Sequence, residues 1–130
     1  MIRFECDYTE GAHRRILERM LETNEDQTAG YGDDEHTARA RDLIRTACEA
    51  PDADVYLLVG GTQANKTIIS HILRPHQGAI CANTGHINVH ESGAIEATGH
   101  KVMPLPSDDG KITAAQIEEA WQAHWNDGTH

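Results

Sequence analysis

Apolar side chains recur three or four positions apart in two early stretches of the chain. Between residues 13 and 23 this spacing begins at Ile16, and it predicts an amphipathic helix. Residues 36–49 repeat the pattern, and Pro51 ends it. The first part of the chain is therefore predicted to be helical.

Further along, short apolar runs alternate with helical patterns. Strands are predicted over residues 55–59, 79–82 and 101–105, and helices over 63–73, 86–97 and 114–125. Thr113 and Gln116 have the spacing of a capping box at the start of the last helix. This alternation predicts right-handed crossovers and a parallel sheet.

The predicted fold class is α/β, a mainly parallel sheet with flanking helices. Residues 1–50 would form an amino-terminal arm with helices, and residues 51–130 an incomplete α/β domain. Because the pattern stops where another strand is due, three strands would leave an unfilled sheet edge. The sequence therefore predicts the front part of a larger α/β domain.

Charge and cysteine content narrow the possible partners. The 130 residues include 11 Lys+Arg and 21 Asp+Glu, a formal charge of -10. Nucleic acids and anionic membrane surfaces are bound through clustered Lys and Arg, so neither is an expected partner. Three widely spaced cysteines without a CxxC pair indicate reduced thiols, and no signal peptide or membrane-spanning run is evident. We expect a soluble cytoplasmic protein.

The turn after the first predicted strand, Gly60-Gly61-Thr62-Gln63, is a candidate phosphate site. One interpretation is a P-loop, but Asn65 stands where that motif needs Gly, and its side chain would fill the cradle. In the other interpretation, the N–H groups of Gly61, Thr62 and Gln63 lie unsatisfied at a helix N-terminus. Such groups bind a terminal phosphate without a lysine. A turn that binds no ligand stays a third possibility.

The next strand–helix junction contains the sequence NTGHINVHE, beginning at residue 83. Carboxyl ends of parallel strands line one sheet edge, so His86 is predicted beside the glycine turn. His86 and His90, with Glu91 adjacent, have a spacing common among metal ligands, but a third ligand is not evident. Alternatively, the His86 ring stacks on an aromatic cofactor, or His86 simply begins a helix.

Four segments together are familiar in their order and spacing: residues 7–13 (DYTEGAH), 30–34 (GYGDD), 60–65 (GGTQAN) and 86–94 (HINVHESGA). On these segments the chain resembles the amino-terminal part of the low-specificity threonine aldolases. That family belongs to the aldolase/β-eliminating lyase group of pyridoxal-phosphate enzymes, which have the aspartate-aminotransferase fold (fold type I). The resemblance covers essentially the whole chain but only the front part of a family member.

The resemblance implies pyridoxal 5'-phosphate as the cofactor. Gly61, Thr62 and Gln63 would hold its phosphate, and His86 would stack on its ring and assist proton transfer at the substrate hydroxyl. The implied activity is that of an aldehyde-lyase, which cleaves threonine and other β-hydroxy amino acids to glycine and an aldehyde.

The resemblance also implies substrate contacts and an assembly. Cys6 and Asp7 lie on the segment that approaches the substrate in similar enzymes. Many of these have Ser or Asn at position 6, and a thiol is a poorer donor. Tyr31 would lie on a loop near a neighbouring subunit's active site. Alternatively, it is simply an aromatic residue in a turn. Family members are usually tetramers built from dimers, so a homo-oligomer with a small amino acid substrate is implied.

Part of the family's machinery is not found in this sequence. Family members place the lysine that binds the cofactor covalently, an aspartate for the pyridine nitrogen and an arginine for the substrate carboxylate beyond the region matched here. Lys66, Lys101 and Lys111 do not stand at that lysine's position. We therefore expect this chain alone to be catalytically incomplete. A β-eliminating lyase of the tryptophanase type, a transaminase, a non-catalytic remnant and a P-loop nucleotide binder are the competing interpretations.

Overall fold

The computed structural model describes residue 6 and residues 8–127, and it divides the chain into two compact units. These are Met1–Tyr56 and Leu57–His130. Helix α1 (Arg14–Glu22) and helix α2 (Glu35–Ala47) make up the regular structure of the first unit. Both predicted helices are confirmed, with ends that differ by one or two residues.

Helix α2 begins at a well-formed cap. The Asp34 carboxylate accepts hydrogen bonds from the Thr37 N–H at 2.8 Å and from the Thr37 hydroxyl at 2.7 Å. These bonds favour the charged carboxylate, first the one from the hydroxyl and then the one from the N–H, so the pKa of Asp34 lies below its ordinary value. The cap therefore satisfies a backbone donor that the helix itself cannot satisfy.

The second unit contains the sheet. Its elements are α3 (Gly61–Ile72), β1 (Ala79–Ala82), α4 (His86–Val89), a single 3-10 turn (Glu96–Thr98), β2 (Val102–Leu105) and α5 (Ala114–Asn126). Strands β1 and β2 pair in parallel, with Ala79 opposite Val102 and Ala82 opposite Leu105. The predicted parallel pairing of these two strands is confirmed.

The prediction of a strand over residues 55–59 is wrong. This segment has no regular secondary structure, and Tyr56 and Val59 are 77% and 98% exposed. A strand exists only where a neighbour satisfies its backbone N–H and C=O groups. Within the described residues the sheet has two strands, and neither pairs with this segment.

The helix predicted over residues 86–97 is wrong in its extent. Helix α4 ends at Val89, and Ser92 and Gly93 have left-handed φ angles of 51° and 74°. Two successive residues in that region cannot continue a right-handed helix. The chain turns instead and re-forms only the short 3-10 turn that ends at Gly99.

The last helix begins as predicted. The Thr113 hydroxyl accepts the Gln116 N–H at 3.2 Å, and the Gln116 side chain accepts the Thr113 N–H at 2.9 Å. This reciprocal pair is a capping box, so that prediction is confirmed.

A small core includes residues of both strands. Ile95 is fully buried, and Ala82 of β1 and Val102 of β2 are 7% exposed. Just before β1, a Cβ on Gly78 would lie 2.6 Å from the Lys101 carbonyl oxygen. Glycine therefore permits the backbone approach with which the β1–β2 pairing begins. In the described part of the chain no helix is long and apolar enough to cross a bilayer.

Candidate active site

The N-terminus of α3 has the form of an anion site. Gly60 precedes the helix in an extended conformation and makes no side-chain cap, while its carbonyl accepts the Ala64 N–H at 3.0 Å. The N–H groups of Gly61, Thr62 and Gln63 precede the first intrahelical donor and have no acceptor within the helix. The first turn also contains no acidic side chain. These free donors and the positive end of the helix dipole suit a negatively charged group.

Room for that group exists at the same turn. A Cβ built on Gly60 or on Gly61 would meet no atom within 4 Å. The Gln63 side chain folds back and accepts the Val59 N–H at 2.8 Å, which stabilises the turn. Gln63 would therefore bind a ligand through its backbone N–H. The residues present fit a phosphate monoester, which needs several convergent donors and open space.

The Asn65 side chain does not fill the glycine turn, although the sequence analysis expected it to do so if the turn were a P-loop. Its side-chain nitrogen donates to Glu91 Oε1 at 2.6 Å. The amide is thus directed to another part of the second unit, and Lys66, the next residue, is exposed on the helix.

His86 begins α4 directly after the turn that follows β1. A Cβ on Gly85 would lie 2.9 Å from the Ala82 carbonyl oxygen and 3.1 Å from the Cys81 Cβ. Only glycine allows this close approach without a backbone shift. Burial at this turn, with a smaller contribution from the charge of Glu96, raises the pKa of the Cys81 thiol. Gly85 therefore determines where His86 stands relative to the end of the strand.

Glu91 connects helix α3 with the start of helix α4. Its side chain is fully buried, and its Oε1 lies 2.8 Å from His86 Nδ1 while accepting the Asn65 amide. Its Oε2 is buried and has no hydrogen-bond partner among the described residues. The His86 side chain is 60% exposed, so one edge of the ring is held by a buried carboxylate while much of the ring stays accessible.

His86 and His90 lie close together, as their spacing predicted. Their ring centroids are 5.4 Å apart, and the ring planes are inclined by 52°. His86 Nδ1 is engaged by Glu91. No group of three His, Cys, Asp or Glu side chains in the described residues is arranged to hold a metal ion.

The remaining predicted site residues belong to the first unit. Cys6 is half-buried, and Asp7 lies outside the described residues. Tyr31 is fully exposed in a turn and has a left-handed φ of 63°, a conformation uncommon for a bulky residue.

The sequence analysis did not identify Glu91 as the hydrogen-bond partner of both His86 and Asn65. An uninterrupted helix over residues 86–97 would place Glu91 roughly 140° around the axis from His86, on a different face. The two side chains meet because the helix stops at Val89 and the chain turns. The adjacent Ser92-Gly93 pair was the available signal, since glycine after a short polar residue favours such a turn.

The sequence of this chain is similar to those of known proteins. The profile of the Beta-eliminating lyase family matches residues 4–130. A low specificity L-threonine aldolase of Pseudomonas sp. (strain NCIMB 10558) is 34% identical over 118 residues, which is 89% of this chain and 34% of that protein. The low specificity L-threonine aldolase of Pseudomonas aeruginosa is 32% identical over the same share of each chain. The chain therefore spans about a third of the length of these relatives.

A solved threonine aldolase from Leishmania major has a similar structure. The TM-score is 0.86 at 50% sequence identity, over 90% of this chain and 34% of that one. The predicted fold class, α/β with the fold-type-I arrangement, is thereby confirmed. Because the family profile spans nearly the whole sequence, the chain belongs to the beta-eliminating lyase family.

Proposed function

We propose that this chain contributes the phosphate cradle and the ring-facing histidine of a pyridoxal-phosphate-dependent threonine aldolase. One observation carries the proposal: Glu91 Oε1 joins His86 to Asn65, one turn beyond the open N-terminus of α3. The helix whose N-terminus forms the anion site is therefore hydrogen-bonded to the carboxylate that holds the exposed imidazole. The combination of anion site and imidazole suits a ligand that has both a phosphate and an aromatic ring.

The cradle would act through its backbone. The N–H groups of Gly61, Thr62 and Gln63 donate to the phosphate oxygens, and the Thr62 hydroxyl adds a side-chain donor. Open space around Gly60 and Gly61 admits the phosphate against the backbone. When bound, pyridoxal phosphate supplies an electron sink that allows a bond at the Cα of an amino acid to break.

His86 would act at two places. Its ring would stack on the cofactor ring, and its Nε2 would accept a proton from the β-hydroxyl of the substrate. A general base must reach the proton that it removes, and the exposed imidazole leaves that approach open. Loss of this proton accompanies cleavage of the Cα–Cβ bond to glycine and an aldehyde, so β-hydroxy amino acids such as threonine are the proposed substrates.

Substrate contacts and assembly are proposed on the resemblance. The segment with Cys6 and Asp7 would approach the substrate. Position 6 would contact the substrate carboxylate, for which the Cys6 thiol is a weak donor. Tyr31 would contribute to a neighbouring subunit's site in a dimer or tetramer, and its exposure leaves it accessible for that role. The proposed location is the cytoplasm, as for an enzyme of amino acid metabolism with reduced thiols.

The covalent link to the cofactor is proposed to come from outside these 130 residues. A lysine that forms an imine is buried beside the cofactor. Lys66, Lys101 and Lys111 are all exposed, and Lys111 pairs with Asp109 at 3.1 Å. We therefore propose that this chain binds the phosphate and the ring without binding the aldehyde covalently.

Titration of the 130-residue chain with pyridoxal phosphate, followed by absorption and fluorescence, tests this function. Thr62→Ala should raise the dissociation constant about tenfold or more, because a hydrogen bond to a charged group contributes about 1.5–3 kcal/mol. His86→Leu should also weaken binding, while Thr67→Ala, a matched change on the exposed side of the same helix, should not.

Two outcomes would contradict the proposal. Absence of saturable pyridoxal phosphate binding by the wild-type chain would contradict the proposed phosphate site. Borohydride reduction followed by peptide mass mapping tests the covalent link separately. A cofactor adduct trapped specifically on one of the three lysines would overturn the assignment of that link to another region.

A further inference from the structure

The interaction between His86 and Glu91 constrains the position of one proton. An ionised carboxylate can only accept hydrogen bonds, so a hydrogen bond between Glu91 Oε1 and His86 Nδ1 requires the proton on Nδ1. A neutral imidazole that carries its proton on Nδ1 has its lone pair on Nε2. This is the opposite of the Nε2–H tautomer that an isolated histidine side chain prefers.

Asn65 favours the ionised form of that carboxylate. Its Nδ2 donates to the same oxygen at 2.6 Å, a short distance that is typical of charge-assisted hydrogen bonds. The alternative is a neutral Glu91 whose Oε1–H donates to Nδ1. That oxygen would then act as a donor to histidine while it accepts the amide, which leaves a weaker acceptor for Asn65.

The two oxygens of Glu91 have unequal surroundings, since both of its hydrogen bonds are made through Oε1. Oε2 is buried without a partner in the described part of the chain, and such a group costs free energy. An apolar side chain would avoid that cost. A carboxylate at this position is understandable if its task is to orient the two groups on Oε1.

We propose that Glu91 is a positioning residue that holds His86 in the Nδ1–H tautomer, and that Asn65 anchors this carboxylate to α3. The pair keeps the Nε2 lone pair on the accessible part of the ring. The use of that lone pair, as acceptor of the substrate hydroxyl proton, rests on the function proposed above. The tautomer itself does not, because it follows from contacts within the chain.

Nitrogen NMR on the 15N-labelled 130-residue chain tests the tautomer without any cofactor. At about pH 8.5 imidazole side chains are largely neutral, and long-range proton–nitrogen spectra distinguish a protonated from an unprotonated ring nitrogen. His86 should show a protonated Nδ1 and an unprotonated Nε2. His36, whose Nε2 lies 3.1 Å from Asp26 Oδ2, should show the opposite pattern and is the internal control.

Two substitutions separate positioning from simple packing. Glu91→Met fills a similar volume without an acceptor, so His86 should change to the Nε2–H tautomer while His36 does not change. Glu91→Gln keeps an oxygen acceptor and should largely restore the Nδ1–H form. If the Glu91→Met variant does not fold, the spectra of the wild-type chain and of Glu91→Gln still determine which tautomer His86 adopts.

A wild-type His86 with its proton on Nε2, or one whose tautomer is the same in Glu91→Met, would overturn the inference. Binding of pyridoxal phosphate is measured on the same samples. Loss of the Nδ1–H tautomer of His86 in Glu91→Met, together with at least a severalfold weaker cofactor affinity, would support both the positioning role of Glu91 and the proposed function. A correct tautomer in a wild-type chain that does not bind the cofactor would support this inference and overturn the proposed function.

Discussion

Asn65 and Glu91 are separated by 26 positions in the sequence, yet the Asn65 amide nitrogen lies 2.6 Å from Glu91 Oε1. This hydrogen bond joins helix α3 to the turn that follows α4. The buried Glu91 carboxylate thereby links α3, which follows the glycine turn, to His86 at the start of α4. The sequence analysis had treated these two segments separately.

Replacing Asn65 should weaken the second unit. Asn65→Ala removes a hydrogen bond to a charged group and should lower the free energy of unfolding by about 1.5–3 kcal/mol. Asn65→Asp should lower it further near neutral pH, because two carboxylates would face each other. Urea unfolding measures both, and Asn24→Ala, which loses only an exposed side-chain contact, is the control. Equal stability of the Ala and Asp variants would contradict a charged Glu91.

Gly85→Ala should displace His86. The new methyl group would lie 2.9 Å from the Ala82 carbonyl oxygen, so the backbone must shift. We expect a loss of about 1–3 kcal/mol, the usual cost of overpacking. Urea unfolding and the amide chemical shifts of residues 85–91 measure the two effects. Gly11→Ala, which meets nothing within 4 Å, should have little effect. An unperturbed His86 signal in the Gly85 variant would disprove the role assigned to this glycine.

The cap of α2 should weaken in acid. The pKa of Asp34 is lowered in the folded chain, chiefly by the Thr37 hydroxyl, from an ordinary value of 3.8. The stabilisation is therefore fully present above the unfolded pKa and is lost as pH falls through the lower, folded value. The Thr37 amide shift should titrate with a midpoint below 3.8. Asp34→Asn, which caps without titrating, should abolish that transition. A midpoint at or above the ordinary value would refute the prediction.

The thiols should differ in reactivity. Burial, together with the charge of Glu96, raises the pKa of Cys81, which reduces its thiolate fraction at mildly alkaline pH. Cys48 is exposed, so alkylation near pH 8 should modify Cys48 well before Cys81. Peptide mass mapping over time measures both rates. Glu91→Gln leaves the turn around Cys81 in place and should not change the order. Faster modification of Cys81 would contradict the burial described here.

Local signals in the sequence were sufficient for the elements whose stability is local. The helical spacing from Ile16 onward and the Thr113–Gln116 capping box correspond to structure. The runs predicted as strands at 79–82 and 101–105 also do, with the second strand beginning at Val102. Each depends on neighbours a few positions away or on a short, strongly apolar run. The glycine turn at residues 60–61 was likewise visible as the start of a helix with free donors.

Signals that depend on distant partners were not sufficient. Residues 55–59 have the composition of a strand, but a strand requires a neighbouring backbone, and the described residues provide none for this segment. The extent of α4 also escaped prediction, because left-handed φ angles at Ser92 and Gly93 outweigh the helical preference around them. Propensity is a weak determinant when backbone geometry or missing pairing opposes it.

The sequence by itself determined the fold class, the α3 N-terminus and the candidate histidine, because these follow from periodicity, glycine positions and ordered motifs. Only the tertiary structure decided that His86, Asn65 and Glu91 share one carboxylate oxygen. The hydrogen bond between Asn65 and Glu91 joins side chains 26 residues apart, and the one between His86 and Glu91 joins side chains five residues apart. Neither can be derived from spacing, since both exist only after the backbone has turned and buried the carboxylate. The physical origin of the site is therefore the close approach at Gly85 and the chain reversal at Ser92-Gly93, which together place Glu91 beneath the histidine.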